Sequence, residues 1–133
     1  MKFILMMHAP RGDGEWALMK QWTPEAFGEH IKFMKDFNRE LRERGQLVGC
    51  EGLAPPGQAR VVRSNEANAP LVTDGPFAEA KEFLAGYWIV AVDNAQEAYE
   101  IAARASSAPG PDGKPLHMQI EVREVMSVAP VEV

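Results

Sequence analysis

Phe83-Leu84-Ala85-Gly86-Tyr87-Trp88-Ile89-Val90-Ala91-Val92 is the stretch on which the fold turns. It is apolar almost throughout, short, and rich in aromatic and β-branched side chains. Such a run predicts a strand buried on both faces. Directly before it stands Val72-Thr73-Asp74-Gly75-Pro76-Phe77-Ala78-Glu79-Ala80-Lys81-Glu82. That segment holds three carboxylates, one lysine, a Gly-Pro turn and one aromatic ring. Charged side chains at the mouth of a core strand are held in place by that core, which is how a fold presents chemistry or a polar binding site.

Upstream, residues 2–8 (Lys2-Phe3-Ile4-Leu5-Met6-Met7-His8) read as a first strand, too short an apolar run for a signal peptide. A Gly- and Asp-containing loop follows, and Trp16 to Trp22 reads as a short helical piece. Thr23-Pro24-Glu25 is a helix start: a capping hydroxyl, a proline suited to the first turn, and an acid at the positive end of the dipole. Phe27, Ile31, Met34, Phe37 or Asn38, and Leu41 recur at spacings of three and four, so one stripe of that helix is apolar. Gly45 ends it. Residues 46–53 read as a second strand, 54–57 as a turn, and 59–64 and 71–74 as two strands joined by a hairpin-type loop.

Downstream, Asp93 or Asn94 caps a second helix whose packing face is Ala98, Ile101, Ala102 and Ala105. Residues 106–115 form a Pro/Gly-rich loop. Leu116 to Met126 alternates, with Leu116, Met118, Ile120 and Val122 on one face, and reads as a half-exposed final strand. The tail from Ser127 carries weak signals and could pack on a partner subunit. The order predicts an α+β fold with an antiparallel sheet: a ferredoxin-like βαββαβ plan with an extra hairpin. Both helices would then cover one sheet face. A second copy of the chain is the expected cover for the other, giving a homodimer.

The bulk numbers narrow the classes. At 133 residues, 46% hydrophobic and 25% charged, the chain is one globular domain with room for a core. A net charge of −5 argues against a nucleic-acid partner. No run approaches the roughly 20 apolar residues of a membrane span, so no membrane role is expected. The single cysteine, Cys50, excludes an intrachain disulfide and fits the cytoplasm. No phosphate-binding loop, nucleophile elbow or dinucleotide fingerprint is present. The histidines His8, His30 and His117 lack metal-ligand spacing, so neither a metal nor a cofactor is expected.

Thr73-Asp74-Gly75-Pro76-Phe77-Ala78-Glu79, then Lys81-Glu82 and Leu84, Gly86-Tyr87, resembles the DGPF motif of the YCII-related proteins. Met1 to Met6, Glu51-Gly52-Leu53, Ala95 to Ala103 and Ile120 to Val125 resemble that family's strands and second helix, so the likeness covers nearly the whole chain. Ala80, where relatives often carry Thr or Ser, and the long loop at 106–115 depart from the pattern. The resemblance implies a dimeric α+β barrel of ferredoxin-like subunits. It also implies a helix histidine meeting an aspartate in a cleft, or else a regulatory role near sigma factors of the extracytoplasmic type.

On that basis His30, at the border of the helical stripe, and Asp74 are the candidate acid–base pair. The plain alternatives are a backbone-bonded boundary histidine and a turn aspartate. Glu51, Phe77, Glu79 and Lys81 are the candidate ligand-binding residues; Glu79, Lys81 and Glu82 could equally form salt bridges across a dimer. His8 could reach the cleft, His117 sits on a solvated face, and Cys50 reads as a small buried apolar residue. The expected function is binding of a small polar or aromatic molecule, with acid–base catalysis by His30 and Asp74 as an open option. The alternative is a non-enzymatic accessory or regulatory module in a sigma-factor pathway.

Overall fold

A computed structural model describes residues 1–10, 22–77 and 79–126. Its elements are β1 (Lys2–Pro10), α1 (Pro24–Glu43), β2 (Leu47–Gly52), β3 (Arg60–Ser64), β4 (Pro70–Asp74), β5 (Glu82–Ala91), α2 (Ala95–Ser106) and β6 (Ile120–Glu124). A single 3-10 turn, Pro56–Gln58, precedes β3. The main sheet has four strands in the order β2-β5-β1-β6, and every neighbouring pair is antiparallel. Among the described residues strands β3 and β4 pair only with each other. This is the ferredoxin-like α+β plan, with the extra hairpin inserted between β2 and β5. The helical piece read at Trp16 to Trp22 falls mostly outside the described residues, as does the tail from Ser127.

The helix ends follow the capping chemistry. Thr23 Oγ1 accepts from the Ala26 N–H at 3.1 Å, with Pro24 in the first turn. At the other end Gly45 has φ +71°, the left-handed conformation that glycine adopts without Cβ strain. At the start of α2, Asn94 Oδ1 accepts from the Glu97 N–H at 3.0 Å, and Glu97 Oε2 accepts from the Asp93 N–H at 2.9 Å. Two backbone donors at that helix start are thereby satisfied by side chains.

Strand alternation sorts the sheet into two faces. Phe3 and Leu5 of β1, with Trp88 and Val90 of β5, are buried beneath the helices against Phe37, Leu41, Ala98 and Ile101. Ile4, Met6, Tyr87 and Ile89 alternate to the other face, on which no helix of the described residues packs. They are half-buried. No helix of the described residues is long and apolar enough to cross a membrane.

The final strand is shorter than its alternation predicts. Ile120–Glu124 pairs with β1, and beyond it the Val125 N–H donates to the Lys2 carbonyl at 2.8 Å. His117 sits at φ +52°, outside strand geometry, and the Ser106 hydroxyl donates to the Met118 carbonyl at 2.6 Å. The loop backbone is bonded to the end of α2 rather than to β1: the Leu116 N–H donates to the Ala108 carbonyl at 2.9 Å.

Gly86 marks the closest approach of two strands. A Cβ there would lie 2.9 Å from the Glu51 carbonyl oxygen, inside contact distance of the neighbouring backbone. Gly86→Ala must push β2 and β5 apart, which should lower stability by about 1–3 kcal/mol. Urea unfolding measures it; a variant as stable as the parent would show that the strands yield without cost.

Candidate functional site

Helix α1 meets the sheet differently along its length. Its C-terminal half is packed down by Phe37 and Leu41, both buried. Its N-terminal half stands over a cavity of about 580 Å³. Phe27, His30, Ile31, Met34 and Asn38 line it from the helix. Met7, Cys50, Gly86 and Trp88 line it from the sheet. The size and the mostly apolar lining are those of a small-molecule site.

The far wall comes from the loop after α2, through Pro111, Leu116 and Met118. That loop is tightly built. The Gly110 N–H donates to the Lys114 carbonyl at 2.8 Å. A Cβ at Gly110 would come within 2.7 Å of the Leu116 side chain, so the glycine lets leucine fold inward. Gly113 takes φ +79° in the turn. Leu116 and Met118 thus keep the side predicted by alternation, with Ile120 and Val122 beyond them on the core, although their backbone is not a strand.

Two polar side chains on α1 face the cavity, and each is oriented by one partner. His30 Nδ1 donates to the Pro109 carbonyl at 2.9 Å, across 79 residues of sequence. A carbonyl only accepts, so the proton belongs on Nδ1, and Nε2 of the neutral ring is left as an acceptor. Trp22 packs edge-on against the same ring, with centroids 5.1 Å apart. Asn38 Oδ1 accepts from Trp88 Nε1 at 2.7 Å. The indole N–H only donates, which fixes the amide orientation.

Of the expected site residues, His30 and Glu51 line the cavity. Glu51 lies opposite Tyr87 in the strand register, so its side chain alternates to the face away from α1. Asp74 does not join His30 within one chain. Its side chain is 97% exposed on the hairpin and stands 3.6 Å from Arg60, its cross-strand neighbour. Phe77 is 72% exposed, and Glu79 and Lys81 are exposed as well; none of the three borders the cavity. His8 touches the cavity edge, but its Nε2 stands 3.0 Å from Glu121 Oε1. His117 is exposed.

Asn38, Leu116 and Met118 were placed on their elements by the sequence but were not among the expected site residues. A signal for Asn38 was present: an amide within an otherwise apolar stripe, eight residues after His30 and so near the same helix face. The Pro109 carbonyl left none, because a backbone acceptor has no identity in sequence.

The fold and cavity define an α+β protein with a ligand-sized hollow between its first helix and its sheet. The profile of the YCII-related domain matches residues 3–110, and the chain belongs to that family. It is also 28% identical over 103 residues to an uncharacterized protein of Rhizobium meliloti (strain 1021), covering 77% of this chain and 82% of that one.

His30→Phe removes the donor to Pro109 and leaves that carbonyl without its partner. Stability should fall by about 1 kcal/mol. Amide exchange should quicken at Gly110 and Leu116, the loop positions nearest the lost contact. Unchanged exchange at both would mean that the histidine does not secure the loop.

Proposed function

We propose that this protein binds a small, largely apolar molecule in the cavity between α1 and the sheet, with His30 supplying the ionisable contact. The observation that carries this reading is the cavity itself, of about 580 Å³, lined by apolar side chains around a histidine whose tautomer is set by Pro109. His30 Nε2 is suited to accept a proton or a hydrogen bond from a bound molecule. In this reading binding comes first. Acid–base turnover would rest on His30, with Asp74 contributing only if a second chain delivers it. The cytoplasm, suggested by the lone Cys50, is the proposed location.

Pairing of two copies through the uncovered sheet face belongs to the same proposal. Ile4, Met6, Tyr87 and Ile89 give that face an apolar centre, and a twin of equal character would shield it. Equilibrium sedimentation should find a dimer that Ile89→Glu converts to folded monomers. A parent chain that sediments as a monomer at high concentration rejects the pairing.

Anilinonaphthalenesulfonate, which fluoresces in apolar surroundings, tests the cavity. The folded chain should bind it saturably and melt at a higher temperature in its presence. Met34→Trp places a large ring in the hollow and should weaken dye binding by about tenfold or more, a loss of at least 1.4 kcal/mol. Binding that ignores the tryptophan would locate the dye elsewhere and remove the support for this site.

A further inference from the structure

His30, Met34 and Asn38 follow one another at intervals of four along α1, and all three line the cavity. At 1.5 Å of rise per residue, His30 and Asn38 stand about 12 Å apart along the helix axis. Their exposed chemistry is opposite in kind. Trp88 occupies the Asn38 oxygen, which leaves the amide N–H groups unbonded among the described residues. Pro109 occupies the His30 N–H, which leaves Nε2 as an acceptor. Met34 lies between them and is apolar, as are Gly86, Trp88 and Met118 across the hollow.

We infer that the cavity selects an elongated aromatic molecule with a hydrogen-bond donor at one end and an acceptor at the other. The donor, a phenolic hydroxyl, meets His30 Nε2. The acceptor, a carbonyl oxygen, meets the Asn38 amide. This rests on the proposed cavity binding and names the class of ligand within it. The polarity is set by the protein. Neither orienting partner can exchange roles, because an indole N–H never accepts and a carbonyl never donates. A ligand with reversed ends would set a carbonyl against the imidazole lone pair and lose the bond at His30, although its hydroxyl oxygen could still accept from the Asn38 amide. The apolar span between the ends disfavours a second polar group in the middle, since nothing there would compensate its lost hydration. Trp22 and Phe27 add an aromatic wall at the His30 end; their own rings meet edge-on, with centroids 6.2 Å apart.

The test uses three compounds of matched shape, competed against anilinonaphthalenesulfonate. Para-hydroxybenzylacetone carries both ends. Para-methoxybenzylacetone lacks the donor, and para-butylphenol lacks the carbonyl. Each single loss should weaken displacement by about fivefold to tenfold, the worth of one hydrogen bond. Asn38→Asp keeps an acceptor for the Trp88 indole and removes the amide donor. In that variant the advantage of para-hydroxybenzylacetone over para-butylphenol should vanish, while the penalty for the methoxy group stays. If the dye binds the parent chain and all three compounds displace it equally, two-ended selection is overturned and cavity binding stands. If neither dye nor compounds bind, both fall together.

Discussion

Trp88 is the contact on which the architecture and the cavity both depend. It sits on the central pair of strands, buried, with its ring edge-on to Phe37 at 5.8 Å and its N–H bonded to Asn38 at 2.7 Å. One side chain thereby fixes where along α1 the helix meets the sheet. Towards the C-terminus, Leu41 and Arg104 continue the close packing; the Arg104 guanidinium lies 5.2 Å above the Phe37 ring and reaches Glu40 at 2.6 Å. Towards the N-terminus the described residues leave the cavity between helix and sheet. The helix is held against the sheet by Phe37, Leu41 and the Asn38–Trp88 bond, and nearer its start by a bond to a loop. That loop is the one after α2, joined through Pro109 and His30.

Much of the frame was legible because it follows from local chemistry. The Thr23-Pro24-Glu25 start, the Asn94 cap, the Gly45 stop and the apolar run at 83–92 each act within a few residues of themselves, and each appears where those rules put it. The cavity was not legible, because it depends on contacts far apart in sequence. Leu116 and Met118 show the limit well. Their alternation correctly indicated which side they face, since side-chain direction persists through an irregular backbone. It wrongly implied a strand, since His117 turns to positive φ and the Ser106 hydroxyl takes the Met118 carbonyl.

The acidic segment before β5 was the natural place to look for chemistry, and its visible role is structural. The Gly75 N–H donates to the Ala59 carbonyl at 2.9 Å, and a Cβ on Gly75 would lie 3.1 Å from the same oxygen. A side chain there would be a tight contact, and the neighbouring backbone would have to give by a few tenths of an ångström. Asp74 and Arg60 face each other across the hairpin at 3.6 Å in full contact with water, where an ion pair contributes little. Charged residues on a short exposed hairpin are placed by the turn but not surrounded by the core. Proximity in sequence to a buried strand did not carry them into its cavity, because among the described residues β4 pairs only with β3.

This separation bears on how the family pattern relates to ligand choice. The family match ends at residue 110, just past Pro109, whose carbonyl receives His30. Pro111, Leu116 and Met118, which close the cavity, all lie beyond it. Both helices, strands β1 to β5 and His30 lie within the matched residues, and β6 lies beyond them. The wall that sets the length and shape of the hollow belongs to a loop folded on its own glycines. A chain can therefore keep the common architecture and its motif while altering what fits inside. The polar groups of the cavity, His30 and Asn38, lie within the matched residues, and the apolar wall at Pro111, Leu116 and Met118 lies beyond them.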